Sequence, residues 1–241
     1  MFFFAFSHQG WYDTVVYAPD TKYKPGDLVI DENGAFLCLG KDIIFPELYE
    51  KIKKKAYVFN SQSTRIKQYL SAKTISLLHR LVKEYFSSYK NVIGLYLSDY
   101  GTQHLLWGKM DTQQPEYPTR NSNTGKRDFS LQAGQQCILF PSLWALTQTI
   151  DIEALPKGVW ILHGGMTLVQ KNKLFRWVKT GQIHTIVGTN RALFFDRISL
   201  SRIVLYRPWD WSYSNQSDPR FVLQDTAKQI ASIYGSTYEE A

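Results

Sequence analysis

After Gly134 the chain settles into a rhythm that few folds accommodate: short apolar runs, each flanked by longer amphipathic stretches. The runs are Cys137–Phe140, Val159–Leu162, Thr185–Val187 and Ile203–Leu205. A strand with one wet face alternates polar and apolar residues, whereas a strand apolar throughout needs both faces covered. That is the pattern of a parallel sheet with helices on either side. The stretch between the second and third runs carries helix punctuation of its own. Thr167 and Gln170 stand at capping-box spacing, Leu174, Phe175 and Val178 supply a buried face, and Gly181 marks the stop. The reading is an α/β lobe from residue 134 to the end of the sequence.

The preceding half is different in kind. Residues 1–55 read as a β-rich module: Thr14–Tyr17, a turn at Lys24-Pro25-Gly26-Asp27, Leu28–Ile30, a hairpin signal at Asp31-Glu32-Asn33-Gly34, and Ala35–Leu39. From Lys51 to Lys90 ten Lys or Arg stand against the single acid Glu84, so residues 56–108 form a basic segment. Within it, Thr74–Phe86 places Ile75, Leu78, Leu81, Val82 and Tyr85 at helical spacing, which predicts a helix with a basic outer side. That side is either a solvated face or a nucleic-acid contact. Asn91–Trp107 reads as two short strands or a strand and a loop. Residues 109–133, rich in Gln, Pro, Asn, Ser and Gly and poor in aliphatics, read as a linker.

Composition narrows the function classes. The formal charge of +7 suits a polyanionic partner without requiring one. Cys38 and Cys137 are the two cysteines and lie far apart, so they build neither a zinc cluster nor a disulfide framework. The opening MFFFAF lacks a basic flank and is too short for a signal h-region, and no run approaches the length of a membrane span. The expected setting is the cytoplasm, with no membrane partner. His8, His79, His104, His163 and His184 are scattered without partners at hydrolase or metal-site spacing.

The last of the four runs leads into the most unusual stretch, Ile203–Phe221. A buried strand passes into a loop that carries Trp209, Trp211 and Tyr213 among charged and small polar residues. Aromatics so spaced look like a stacking surface. Asp218-Pro219 then predicts the N-cap and first turn of a final helix.

Several collinear motifs in this half resemble those of the primosomal protein N′ (PriA) replication-restart helicases. Gln135-Gln136-Cys137-Ile138-Leu139-Phe140-Pro141 is similar to the strand leading into that family's Pro-Glu, here Pro141-Ser142. Ile161-Leu162-His163-Gly164-Gly165 corresponds to its His-Ser-Gly, and Ile186-Val187-Gly188-Thr189-Asn190-Arg191-Ala192-Leu193-Phe194 to its Val-Gly-Thr-Arg-Ser-Ala-Leu-Phe. Asp210, Ser212, Tyr213, Pro219, Arg220 and Asp225 follow at the family's spacing. Tyr12–Pro19 with Tyr23–Val29 resembles the module with which these proteins bind the 3′ end of a nascent strand, and residues 74–97 the winged-helix region after it. The resemblance implies a RecA-like helicase lobe over 134–241.

The departures matter as much. Where the family has an Asp-Glu-Glu-His, this chain has Tyr206, Arg207, Pro208 and Trp209, which hold no carboxylate for Mg²⁺. The phosphate-binding Gly-Lys-Thr loop is also missing, since Gly108-Lys109 lacks its flanking residues. Asn123-Thr124-Gly125-Lys126-Arg127 lies too close to the next strand for the helix that must intervene. Neither the family's second lobe nor its cysteine-rich zinc module has a counterpart in these residues. The expectation is therefore no cofactor, no metal and no ATP hydrolysis by this chain alone. What the resemblance leaves is DNA binding, single-stranded or forked and 3′-ended, through Gly188, Thr189, Asn190, Arg191, Trp209, Trp211, Tyr213 and Arg220. Trp209 and Trp211 either stack on bases or fill the space of the lost nucleotide site. Replication-restart proteins are the expected partners. The alternatives are a helicase subunit working in trans with a second lobe, and a non-catalytic protein-interaction scaffold.

Overall fold

A computed structural model of the chain describes residues 2–8, 11–18, 22–32, 34–41, 57–59, 62–97, 134–152, 155–156 and 158–241. It divides into two compact units, Met1–Lys109 and Met110–Ala241.

In the first unit β1 (Phe2–His8), β2 (Trp11–Ala18), β3 (Leu28–Asp31), β4 (Gly34–Gly40) and β5 (Thr64–Ile66) form, among the described residues, an antiparallel sheet in the order β2-β1-β4-β3-β5. The apolar opening of the chain is thus a strand, paired on one side with β2 and on the other with β4. β5 lies inside the basic segment and pairs with β3. Asp27 explains why β5 stays there. Its carboxylate is buried and accepts from the backbone N–H groups of Lys24 at 2.8 Å and Gln68 at 2.9 Å, and from Nε of Arg65 at 2.9 Å. A buried charge satisfied this fully fixes the geometry of everything that donates to it.

Helix α1 (Ala72–Glu84) starts where Ser71 accepts from the Thr74 N–H at 3.2 Å. It buries Ile75, Leu78, Leu81 and Val82, as its spacing predicts, and Leu77 as well, while Tyr85 falls at the C-cap. The His79 ring joins this helix to β4 and to the next helix. A carbonyl can only accept, so the 2.8 Å contact to Leu39 O places the proton on Nε2, and Nδ1 accepts from the Tyr89 hydroxyl at 2.5 Å. The expected strand after Asn91 is corrected: α2 (Tyr89–Leu97) is a helix. Val92, Ile93 and Tyr96 are buried together, which is a helical stripe and not the alternation of a strand. Residues 98–107 and the expected linker over 109–133 lie outside the described residues.

The second unit has an α/β fold. β6 (Gln135–Leu139), α3 (Leu143–Thr149), β7 (Val159–Leu162), α4 (Leu168–Lys179), β8 (Thr185–Gly188), β9 (Leu200–Leu205), α5 (Leu223–Tyr234) and β10 (Thr237–Glu240) follow one another. Among the described residues the strands form one parallel sheet in the order β10-β9-β6-β8-β7. All four apolar runs are strands, and the capping box is formed, with Thr167 N–H donating to Gln170 Oε1 at 2.8 Å and Gln170 N–H to Thr167 Oγ1 at 3.2 Å. Gly181 sits at φ +76°, the left-handed conformation that ends α4.

At the amino edge of this sheet one buried side chain joins three elements. The Gln135 amide donates to the carbonyls of Val178 at 2.7 Å and Ile183 at 2.8 Å, and its oxygen accepts from the Ile198 N–H at 3.1 Å. At the carboxyl edge all strand ends emerge together, because every neighbour is parallel. The chain leaves β6 toward β8 and β7, then crosses to β9 and β10 on the other side. The β6/β9 boundary is therefore the topological switch point, where α/β sheets open a crevice.

The start of the final helix is also corrected. α5 begins at Leu223 with Val222 as its cap, and Asp218-Pro219, a cis peptide, lies in the loop before it. Tertiary contacts hold that loop closed through residue 222: Asn215 N–H donates to Phe221 O at 2.8 Å, Ser214 bridges to Val222, and the Phe221 ring packs edge-on against Phe194. Among the described residues no helix is long and apolar enough to cross a membrane.

Candidate functional site

The residues singled out by the sequence come from the ends of β6, β8 and β9, and the parallel sheet delivers all three to one edge. The β9 loop is tied down first. Tyr206 N–H donates to Leu139 O at 2.9 Å, and the Tyr206 ring stacks on Phe140 with centroids 4.4 Å apart. Arg207 N–H donates to Ala241 O at 2.8 Å, and the Gln224 amide donates to the Pro208 carbonyl. Arg207 adopts φ +52°, a conformation that costs a non-glycine residue on the order of 1 kcal/mol and persists only where the surroundings impose it. Its side chain is exposed.

Asp210 then caps the single helical turn Trp211–Tyr213 by accepting from the Ser212 N–H at 3.0 Å. That bond, more than any other contact, holds the Asp210 carboxyl below the usual carboxylate range. Ser212 Oγ donates to Pro141 O at 3.0 Å, and Ser212 O accepts from Asn190 Nδ2 at 3.1 Å, so one serine links the ends of β6, β8 and β9.

Tyr213 is corrected as a stacking residue. Its side chain is 1% exposed, and its hydroxyl donates to Tyr206 O at 2.7 Å with Leu139 O 3.1 Å away. Burial drives its pKa upward, so the hydroxyl keeps its proton and remains a donor. Trp209 and Trp211 have the opposite fate. They are 79% and 80% exposed, so they do not fill a space in the core.

Gly188 has a packing reason to be glycine, because a Cβ there would stand 2.8 Å from Leu162 O and 3.0 Å from the Ala192 Cβ. Its carbonyl accepts from Phe140 N–H at 2.8 Å. Thr189 precedes the short helical turn Asn190–Leu193 and makes no side-chain cap to it, while Arg191 and Arg220 are exposed. Arg220 is held between Pro219 and Phe221, both buried. His163 and the two glycines after it are exposed at the end of β7.

The edge does not fit a magnesium-bound nucleotide. Tyr206, Arg207, Pro208 and Trp209 present no carboxylate, and Asp210, the next one along the chain, accepts from the Ser212 N–H. Among the described residues no three His, Cys, Asp or Glu side chains cluster as metal ligands. What the edge does present is a set of ordered backbone segments bearing exposed indoles and guanidinium groups. One of these the sequence reading missed: Trp144, at the start of α3, is 66% exposed. Its signal was a tryptophan in the first turn of a helix, two residues beyond the Ser142 cap. No family model matches this chain, and no curated protein matches it.

Proposed function

We propose that this chain is a DNA-binding relative of the primosomal protein N′ (PriA) helicases that has lost ATP hydrolysis and acts in replication restart or fork recognition. In this reading the second unit is a RecA-like lobe, and the first is a 3′-end-binding module with a winged-helix-like segment. The partner is DNA, single-stranded or forked. The observation that carries the reading is the end of β9. An aromatic ring packed on Phe140 stands where the resemblance expects a metal-holding carboxylate pair, and two exposed indoles follow it directly. Arg191, Arg207 and Arg220 supply exposed cations along the same edge, which suits phosphate.

The test is binding of the pure protein to matched single-stranded, duplex and forked DNAs at two salt concentrations. Phosphate contacts give affinity that falls steeply with salt, by a slope of about 0.7 per phosphate on a single strand. Binding that is absent, or that ignores salt, overturns the reading in favour of a protein-interaction scaffold. DNA-stimulated, Mg²⁺-dependent phosphate release by the chain alone overturns the loss of hydrolysis.

A further inference from the structure

The short turn Asn190–Leu193 is held on one side by Asn190, whose Nδ2 donates to Ser212 O at 3.1 Å. Its other side rests on a buried cation. Ala192 through Arg197 are buried one after another, although the chain leaves the turn there without entering a helix or a strand. Carbonyls in such a segment still need donors. Arg197 supplies them: its side chain is 3% exposed, Nη2 donates to Ala192 O at 2.6 Å, and Nη1 donates to Leu193 O at 2.9 Å and to Phe195 O at 3.1 Å. The Cys137 thiol reaches the same Ala192 carbonyl at 3.3 Å, which ties the turn to β6.

We propose that Arg197 is a positioning residue for this turn: it fixes the carbonyl side of Asn190–Leu193 so that the exposed Arg191 is presented to a phosphate of the bound nucleic acid. The proposal rests on the DNA-binding reading and deepens it, by assigning part of the site's grip on phosphate to a side chain that no ligand can touch.

Satisfying three carbonyls does not by itself call for a charge. A neutral donor would do so without the cost of burying a guanidinium, which brings a permanent charge with it. Among the described residues Arg197 forms no ion pair, and its neighbour Asp196, equally buried, faces Lys179 Nζ at 3.5 Å instead. The Arg197 Nε–H has no hydrogen-bond partner. What the guanidinium meets is the oxygen ends of peptide dipoles and the Phe195 ring, whose centroid is 5.8 Å away. Those carbonyls include the last ones of the turn. The cation therefore cancels a negative pole that would otherwise stand behind any anion bound to Arg191.

Placement makes Arg191 the residue that benefits. It lies between Asn190, bonded to Ser212, and Ala192, whose carbonyl takes Arg197 and Cys137. Its backbone is pinned on both sides while its side chain is exposed. A long side chain on backbone so fixed loses less freedom in reaching a phosphate.

The experiment measures binding of the full chain to a labelled oligodeoxythymidine over a range of salt concentrations, at a temperature where each variant keeps the parent's circular dichroism. The variants are Arg191→Ala, Arg197→Gln, Arg197→Lys and the double variant of Arg191→Ala with Arg197→Gln. Loss of one phosphate contact on a single strand lowers the salt slope by about 0.7. Arg191→Ala is expected to show that fall, and Arg197→Gln a fall in the same direction although its side chain touches no phosphate. The double variant should fall no further than Arg191→Ala, because both changes act at one contact. Arg197→Lys keeps the charge and three donors, so its slope should lie between those of Arg197→Gln and the parent.

A folded Arg197→Gln with the parent's affinity and slope overturns this inference and leaves the broader reading standing, since Arg197 then serves packing alone. Falls that add in the double variant also overturn it, as does an Arg191→Ala slope equal to the parent's. Should Arg197→Gln fail to fold, the parent carries the test through the magnetic resonance signal of the Arg197 Nε–H. That signal should move on saturation with oligodeoxythymidine and move less in Arg191→Ala; a signal that stays in place in the parent overturns the inference. A parent that binds no oligodeoxythymidine, or binds it without salt dependence, overturns the DNA-binding reading and this inference with it.

Discussion

Phe140 and Tyr206 lie face to face across the ends of β6 and β9, ring centroids 4.4 Å apart and planes 8° from parallel. Phe140 is 1% exposed and Tyr206 half-buried, so the pair closes the core at the switch point of the sheet. An aromatic pair contributes about 0.5–1.5 kcal/mol beyond the area it buries. Tyr206→Ala is therefore expected to lower stability by about 2 kcal/mol, read as a fall in the urea midpoint at unchanged slope. A midpoint equal to the parent's would mean that the ring fills nothing.

Tyr213 stands next to that pair as a donor in the core. Tyr213→Phe keeps the ring and removes the hydroxyl that serves the Tyr206 carbonyl. Leaving a buried acceptor unsatisfied costs about 1–3 kcal/mol. Chemical denaturation should show that loss, and DNA affinity should change less than it does on removing Trp211; the reverse order would restore Tyr213 to the binding surface.

In the first unit, Asp27 holds the turn at Lys24, the Gln68 N–H and Arg65 around one buried carboxylate. Asp27→Ala takes the acceptor from the partly exposed Arg65 guanidinium and from the Lys24 and Gln68 N–H groups, and is expected to cost about 1–3 kcal/mol. The double variant with Arg65→Ala should be less destabilised than the sum of the two single variants. Simple additivity in that cycle would show that the pair is not coupled.

Asp210 gives the carboxyl edge a dependence on acid. Its carboxyl titrates below the usual carboxylate range because the folded state donates the Ser212 N–H to it. The folded pKa lies below the unfolded one, so the cap contributes fully above the unfolded value of about 3.9 and fades as pH falls through the folded value. Asp210→Asn should narrow the difference in unfolding midpoint between pH 6 and pH 3. An equal difference in parent and variant would place the acid sensitivity elsewhere.

Both cysteines are buried, and desolvation pushes the Cys38 thiol up to about 12 and raises that of Cys137. Thiolate is the reactive form, so neither should react with a disulfide reagent at neutral pH until the chain unfolds. Modification faster than unfolding would contradict this burial.

Much of the second unit was legible because its signals are local. The runs around Ile138, Ile161, Ile186 and Val204 place apolar residues at consecutive positions, which a sheet covered on both faces requires. Thr167 and Gln170 satisfy each other within one turn. β10 was not legible, because Thr237–Glu240 is polar. Its place depends on pairing with β9, on Arg202 bonding Glu239 through Nε at 2.9 Å, and on Lys228 over the Tyr238 ring. The same holds for α2, whose apolar residues suit either a strand or a helix until they meet the helix and sheet beside them.

Amino-acid order by itself determined that the second half is an α/β lobe with an aromatic loop after its fourth apolar run, and that this loop carries no carboxylate pair. Those are properties of residue type and spacing, which no contact can alter. Only the tertiary structure decided which aromatics face water. Tyr213 is drawn inward where its hydroxyl donates to the Tyr206 carbonyl, Tyr206 where Phe140 offers a flat partner, and Trp144, Trp209 and Trp211 are left outside.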